Sequence, residues 1–213
     1  MEKNPVLFVH GIGASEKVWR KLTIPQRNSY YLSFSDGYAN PQEQVAELKA
    51  EIVRILGAEK KDKLILVCHS MGGLVARQYL ADHFNNHRVE KLILLSTPNL
   101  GSSALWFNPF PSPAGKEMRP NSSFLKELNR KKMPVDVKYV VILSDTKYLP
   151  NYLVNVLLFR EGGDGAVPLS SQKLSASCVP NFSELNYSEL GIKLPHFQIP
   201  ERAGAAILQA LEL

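Results

Sequence analysis

The chain has 213 residues, 45% of them apolar and 21% charged, values that suit one globular domain with a buried core. That excludes a disordered tail, a collagen-like repeat and a disulfide-stapled miniprotein. The 25 Lys and Arg outnumber the 20 Asp and Glu by five, yet the basic runs at Lys60–Lys63 and Arg130–Lys132 are short and flanked by apolar segments. They read as solvated loop or helix ends, not as the tract of a nucleic-acid binder.

The first candidate strand is Val6–Val9, ending at His10-Gly11-Ile12-Gly13. Ser15 is a candidate N-cap for a short helix carrying Val18, Trp19 and Leu22. Tyr30–Phe34 reads as a second strand, closed by the turn Ser35-Asp36-Gly37. From Gln42 to Leu56, Val45, Leu48, Ile52, Ile55 and Leu56 recur at three- and four-residue steps, which predicts an amphipathic helix stopped by Gly57. Leu64–Cys68 is apolar throughout and reads as a central strand. A helix over Met71–Phe84 follows, then strands at Val89–Leu95 and Val137–Leu143, and a closing helix at Glu201–Leu211.

Apolar strands alternating with helices predict an α/β fold, with a parallel sheet covered on both faces, in a single domain spanning 1–213. Two stretches break the alternation. Residues 98–134 are rich in Pro, Ser and Asn but carry Leu105, Trp106, Phe107 and Phe110; a connection this long is usually functional. Asp145–Phe159 holds a dense apolar run that periodicity leaves open between a sixth strand and a helix. Two cysteines, Cys68 and Cys178, are too few for a zinc ribbon or a disulfide framework. No stretch is long enough for a transmembrane helix or shaped like an export signal. Cytoplasmic residence is the default expectation, and a chain whose export signal had been removed would read the same.

The segment Leu66-Val67-Cys68-His69-Ser70-Met71-Gly72-Gly73 puts a serine between a buried strand and a helix, with glycine two residues on. At such a turn the hydroxyl is pushed out over the carboxyl edge of the sheet, and the following helix directs its N-terminal dipole there. Here the chain resembles the lipase and esterase branch of the α/β-hydrolase superfamily, with Cys68 standing at the first glycine of the family's Gly-x-Ser-x-Gly. His10-Gly11-Ile12 resembles the family's His-Gly loop, which implies that the N–H groups of Ile12 and Met71 form an oxyanion hole. Thr97-Pro98-Asn99-Leu100-Gly101-Ser102 resembles a segment of bacterial lipases.

A nucleophilic serine needs a base. Of five histidines, His10 and His69 belong to the two loops. His83 and His87 fall roughly 20 Å from Ser70 along the helix. His196 lies in a late loop, where the family's order of serine, acid, histidine would place the base. Gly162-Gly163-Asp164-Gly165-Ala166-Val167-Pro168 resembles the family's acid loop and implies Asp164 as the acid. Asp145, directly after the fifth strand, remains the alternative.

The resemblance implies an α/β-hydrolase fold trimmed to about six mainly parallel strands, with 98–134 as a lid or cap insertion. It implies a serine hydrolase acting on carboxylic esters with an apolar or fatty-acyl side, through an acyl-Ser70 intermediate. Leu105, Trp106, Phe107 and Phe110 are the expected substrate contacts. No metal, cofactor or nucleic acid is expected, and the partner is a small-molecule or lipid ester. Thioester, amide and acyl-transfer chemistry, a silent binding role, lipid-surface contact and oligomeric state all stay open.

Overall fold

The computed structural model describes residues 3–22, 24–107, 112–148 and 150–213, with the side chain of residue 152 left aside. Six strands form one sheet: β1 (Val6–Val9), β2 (Ser29–Leu32), β3 (Leu64–His69), β4 (Val89–Leu95), β5 (Lys138–Ser144) and β6 (Asn186–Ile192). Their spatial order is β2-β1-β3-β4-β5-β6, and each neighbouring pair runs parallel. Parallel pairing forces each connection to cross over a face of the sheet. The crossover from β2 to β3 carries α1 (Pro41–Glu59), and that from β3 to β4 carries α2 (Met71–Asp82).

Coverage of both faces explains the unbroken apolar runs of the central strands, Val6–Val9 in β1, Leu64–Cys68 in β3 and Leu92–Leu95 in β4. Leu7, Leu66, Leu92 and Val141 pack with Leu48, Ile52, Val75 and Tyr79 of α1 and α2 on one side. Their chain neighbours Phe8, Val67, Ile93 and Ile142 point to the other, as the two-residue period of a strand requires. There they meet Trp19 and the C-terminal helices α7 (Ile199–Arg202) and α8 (Gly204–Glu212), which close that side of the sheet.

Several expected elements shift. α1 runs through Gly57 and ends at Lys60, which takes the left-handed conformation at φ +52°. Gly57 sits on an open surface, where a glycine costs only about 1 kcal/mol and need not stop a helix. The closing helix is two helices, parted before Gly204, whose missing side chain lets Leu22 approach; a Cβ there would lie 3.1 Å from Leu22 Cδ1. Ser15 adopts the extended N-cap conformation ahead of a 3₁₀ turn at Glu16–Trp19, but its hydroxyl makes no capping bond. The apolar run after Asp145 is helical: α5 (Asn151–Val154) continues into a π-helical turn at Asn155–Phe159. The sixth strand is instead β6, an edge strand that is half exposed and therefore lacks the apolar pattern of its neighbours.

Residues 98–134 form a 3₁₀ turn (Ser103–Trp106), α3 (Pro113–Glu117) and α4 (Ser123–Leu128). Their serines have a local purpose. The hydroxyls of Ser102, Ser112 and Ser122 accept the N–H groups of Ala104, Gly115 and Leu125 at 3.3, 3.0 and 3.1 Å, capping each element. Ala114, Met118, Phe124, Leu125 and Leu128 pack over Met71 and Leu74 of α2. Both ends of the segment are tied to the buried Arg77 of α2, which donates to Asn99 Oδ1 at 2.9 Å and Asn129 Oδ1 at 3.0 Å.

At the opposite end of the sheet, Lys91 Nζ donates to the Ala210 and Leu211 carbonyls at 3.0 and 2.8 Å. A cation there caps the C-terminus of α8. Lys3 Nζ lies 3.7 Å from Glu212 Oε1, so the two ends of the described chain are neighbours.

Candidate active site

Ser70 is the first residue beyond β3 and has φ +53° and ψ −124°, a conformation that costs a non-glycine residue on the order of 1–3 kcal/mol. Neighbouring bonds hold it there. Its N–H donates to Leu95 O at 2.9 Å, and its carbonyl accepts from Gly73 N–H at 3.0 Å. Gly72 makes the turn possible, because a Cβ at that position would stand 2.6 Å from the His10 carbonyl. Cys68 is wholly buried, and burial pushes its thiol pKa up, which leaves it inert.

The Ser70 hydroxyl points along the carboxyl edge of the sheet to His196, which arrives from the loop after β6. Ser70 Oγ and His196 Nε2 are 3.0 Å apart, and His196 Nδ1 is 2.7 Å from Asp164 Oδ2. All three side chains are buried. A carboxylate only accepts, so Nδ1 carries the proton and the bare Nε2 faces the serine hydroxyl. Asp164 Oδ1 accepts the N–H groups of Ala166 and Val167 at 2.9 and 2.8 Å, and its backbone carbonyl accepts from His196 N–H at 3.0 Å. Asp145 lies behind this loop, where its Oδ1 accepts Gly163 N–H at 3.1 Å. Asp164 is thus the carboxylate on the imidazole, and Asp145 braces the loop that carries it.

The other two loop histidines flank the site. His10 Nδ1 is 2.7 Å from the Gly11 carbonyl, and His10 Nε2 accepts Phe34 N–H at 3.3 Å. These roles require the neutral ring, and burial lowers its pKa from 6.5. The His69 ring lies tilted beside that of His196, with centroids 4.6 Å apart and planes at 41°, and burial, followed by the nearness of His196, pushes its pKa well below 6.5.

Both histidines bind a proton more readily when unfolded. Stability is therefore full above pH 6.5 and falls as acidification favours the protonated unfolded chain. Thermal midpoints are expected to be level near pH 7.5 and to drop below about pH 6.5, with a shallower drop in His10→Gln. A midpoint unchanged down to pH 5.5 would contradict the neutral, buried rings.

Met71 stands at the first position of α2, where its N–H has no partner within the helix. No hydrogen bond from Ile12 N–H is seen among the described residues. Beside Ser70 lies an apolar crevice of about 80 Å³, walled by Ile12, Pro98, Leu105, Met118, Val167 and Phe197. A second hollow of about 50 Å³ lies between Ile12, Val18, His69, Pro200 and Phe197. Of the aromatic and aliphatic side chains expected to meet substrate, Leu105 lines the crevice. Trp106 and Phe107 lie outside its wall and are exposed, Trp106 beneath the Arg119 guanidinium at 4.7 Å. Phe110 falls outside the described residues. Met118, Val167 and Phe197 had no local signal, since each reaches the crevice from a different element.

Among the described residues, no group of three or more His, Cys, Asp or Glu is arranged to hold a metal. No helix there is long and apolar enough to cross a membrane.

Residues 4–130 match the family described as the alpha/beta hydrolase fold. Among solved structures, the chain is similar to the mature form of the lipase BlEst2 from Bacillus licheniformis. That match has 21% identity over 99% of this chain and 92% of the other, with a TM-score of 0.79. The product of gene lin2722 from Listeria innocua is 15% identical over 99% and 94% of the two chains, with a TM-score of 0.71. Phospholipase PlaB from Legionella pneumophila is 14% identical over 100% and 60%, with a TM-score of 0.76. No curated protein matches by sequence.

Proposed function

The chain belongs to the α/β-hydrolase fold family, and on that footing we propose that it is a serine hydrolase of carboxylic esters. One observation carries the reading: the unbroken hydrogen-bonded line from Ser70 through His196 to Asp164, at 3.0 and 2.7 Å. As Ser70 Oγ adds to the ester carbonyl carbon, its proton passes to His196 Nε2. Asp164 holds the ring in the required tautomer and stabilises the imidazolium without taking the proton. The carbonyl oxygen, now negative, accepts from the N–H groups of Ile12 and Met71, each worth about 2.7–4 kcal/mol in the transition state. The C–O bond to the alcohol then breaks, and His196 returns the proton to the departing oxygen. Water, deprotonated by His196, attacks the carbonyl of acyl-Ser70; the acyl–Oγ bond breaks, His196 returns that proton to Ser70 Oγ, and the acid leaves.

The acyl chain is assigned to the apolar crevice, roofed by Leu105 and Met118 of the 98–134 segment. Phe197, in its wall, is exposed, as are Trp106 and Phe107, which follow Leu105 in the chain; these rings offer an apolar surface to a lipid ester. The crevice is small, which favours the few carbons of a short acyl chain such as butyryl over those of a long one.

The test is a series of p-nitrophenyl esters, run with a fluorophosphonate probe that labels an activated serine. The kcat/KM is expected to peak near butyrate and fall by about tenfold or more at dodecanoate. Leu105→Ala is expected to move the peak to longer chains. A value still climbing at dodecanoate would overturn the size argument. A protein that neither turned over any ester nor took the probe would overturn the function.

A further inference from the structure

We propose that Asn155, the first residue of the π-helical turn, is a positioning residue for Asp164. The inference rests on the serine-hydrolase reading above and goes beyond it, because Asn155 touches none of the reacting groups.

Asn155 opens the π-helical turn, a turn type that is rare and concentrated at functional sites. The turn's next residues, Val156, Leu157 and Leu158, are exposed, whereas Asn155 is buried and aims its carboxamide inward. Nδ2 donates to Gly163 O at 2.7 Å and to Thr146 O at 3.2 Å. Oδ1 accepts Gly165 N–H at 3.0 Å. One amide therefore grips the residues on both sides of Asp164. The fit is close around it: Gly165 has φ +90°, and a Cβ there would lie 2.3 Å from the Asn151 side chain. Asp145 holds the opposite side of the same loop through Gly163 N–H.

The chemistry makes this grip consequential. The Asp164 carboxylate reaches His196 Nδ1 from a loop of glycines, which supplies little rigidity of its own. Its Oδ1 is fixed by N–H groups within that loop, so those bonds move with the loop and cannot anchor it. Anchorage must come from outside, and Asn155 supplies both a donor and an acceptor for it. A carboxylate displaced by about 1 Å costs on the order of 100-fold in rate. It also holds the imidazolium that forms during the reaction less well.

The experiment compares wild type, Asn155→Ala and Asn155→Asp in the full chain. Asn155→Asp keeps the shape and the acceptor for Gly165 N–H, but it puts a carboxylate oxygen against the Gly163 carbonyl. It serves as the second variant should alanine fail to fold. With p-nitrophenyl butyrate, kcat is expected to fall about 10- to 100-fold in either variant, with KM within about twofold. The acid limb of the kcat/KM profile is expected to move to lower pH, and fluorophosphonate labelling to slow in parallel. Leu157→Ser, on the exposed side of the same turn, is expected to match wild type. If either Asn155 variant melts earlier yet keeps wild-type kcat and acid limb while folded, Asn155 is merely structural and the proposal fails. If the wild type itself takes no probe, the Ser70 reading fails first, which separates the two outcomes.

Discussion

Replacing Ser70 with alanine is expected to lower kcat for p-nitrophenyl butyrate by about 10⁴- to 10⁶-fold and to abolish fluorophosphonate labelling. The change removes one oxygen from a buried position, so the lost group is the nucleophile and little else. Alanine leaves the turn geometry in place, because the backbone bonds to Leu95 and from Gly73 do not involve the side chain. The variant is thus expected to fold as wild type does. Binding of a butyrate ester in the crevice should persist, since its apolar walls are untouched. Measured under single turnover, the loss should fall on the chemical step. Residual hydrolysis within about tenfold of wild type would mean that another group attacks the ester.

Asp164→Asn is expected to reduce kcat by about 10⁴-fold with the fold intact. An amide at this position turns an N–H group or a weaker acceptor toward His196 Nδ1. The ring then loses the partner that keeps its proton on Nδ1, and Nε2 no longer faces Ser70 bare. Asp145→Asn is the informative contrast. The Asp145 bond is to Gly163 N–H at 3.1 Å, which the carbonyl oxygen of an asparagine accepts equally well. It should keep activity within a few-fold, roughly the scale of one neutral hydrogen bond. Equal losses in the two variants would contradict the division of labour between them. The comparison is made on kcat with stability monitored in both proteins.

The site was legible wherever its geometry is encoded in a few consecutive residues. The turn at Ser70 announces itself because a strand, a small-residue step and a helix must follow one another within eight positions, with Gly72 squeezed against His10. The loop around Asp164 carries its own glycines for a similar reason. His196 was reachable by elimination among five histidines and by the order of the family it resembles.

What stayed hidden depends on contacts between distant parts of the chain. β6 buries too little to show an apolar rhythm, so the strand that delivers His196 reads as loop. Asn155 is an ordinary polar residue inside an apolar run, and only the folded chain shows that its amide faces Gly163 and Gly165. Gln172 is similar: its wholly buried amide donates to Ser144 O and Val167 O at 2.9 and 3.0 Å, joining the end of β5 to the acid loop with no sequence pattern to mark it. The split of the closing helix was missed for a related reason, since Gly204 yields to Leu22 from the first crossover. Apolar periodicity reports which face is buried, but it does not report what a lone polar group is buried against.

The adjacency of Lys3 and Glu212, at the end of the sheet where Lys91 caps α8, bears on how the protein tolerates attachments. Every group of the site hangs from the other rim, a strand's length away. A tag, tether or fused domain joined at Lys3 or Glu212 therefore leaves from the back of the molecule, clear of the route by which an ester enters. A linker joining Lys3 to Glu212 would need to bridge only a short gap, so new ends could be opened in a back-rim loop with the working rim undisturbed.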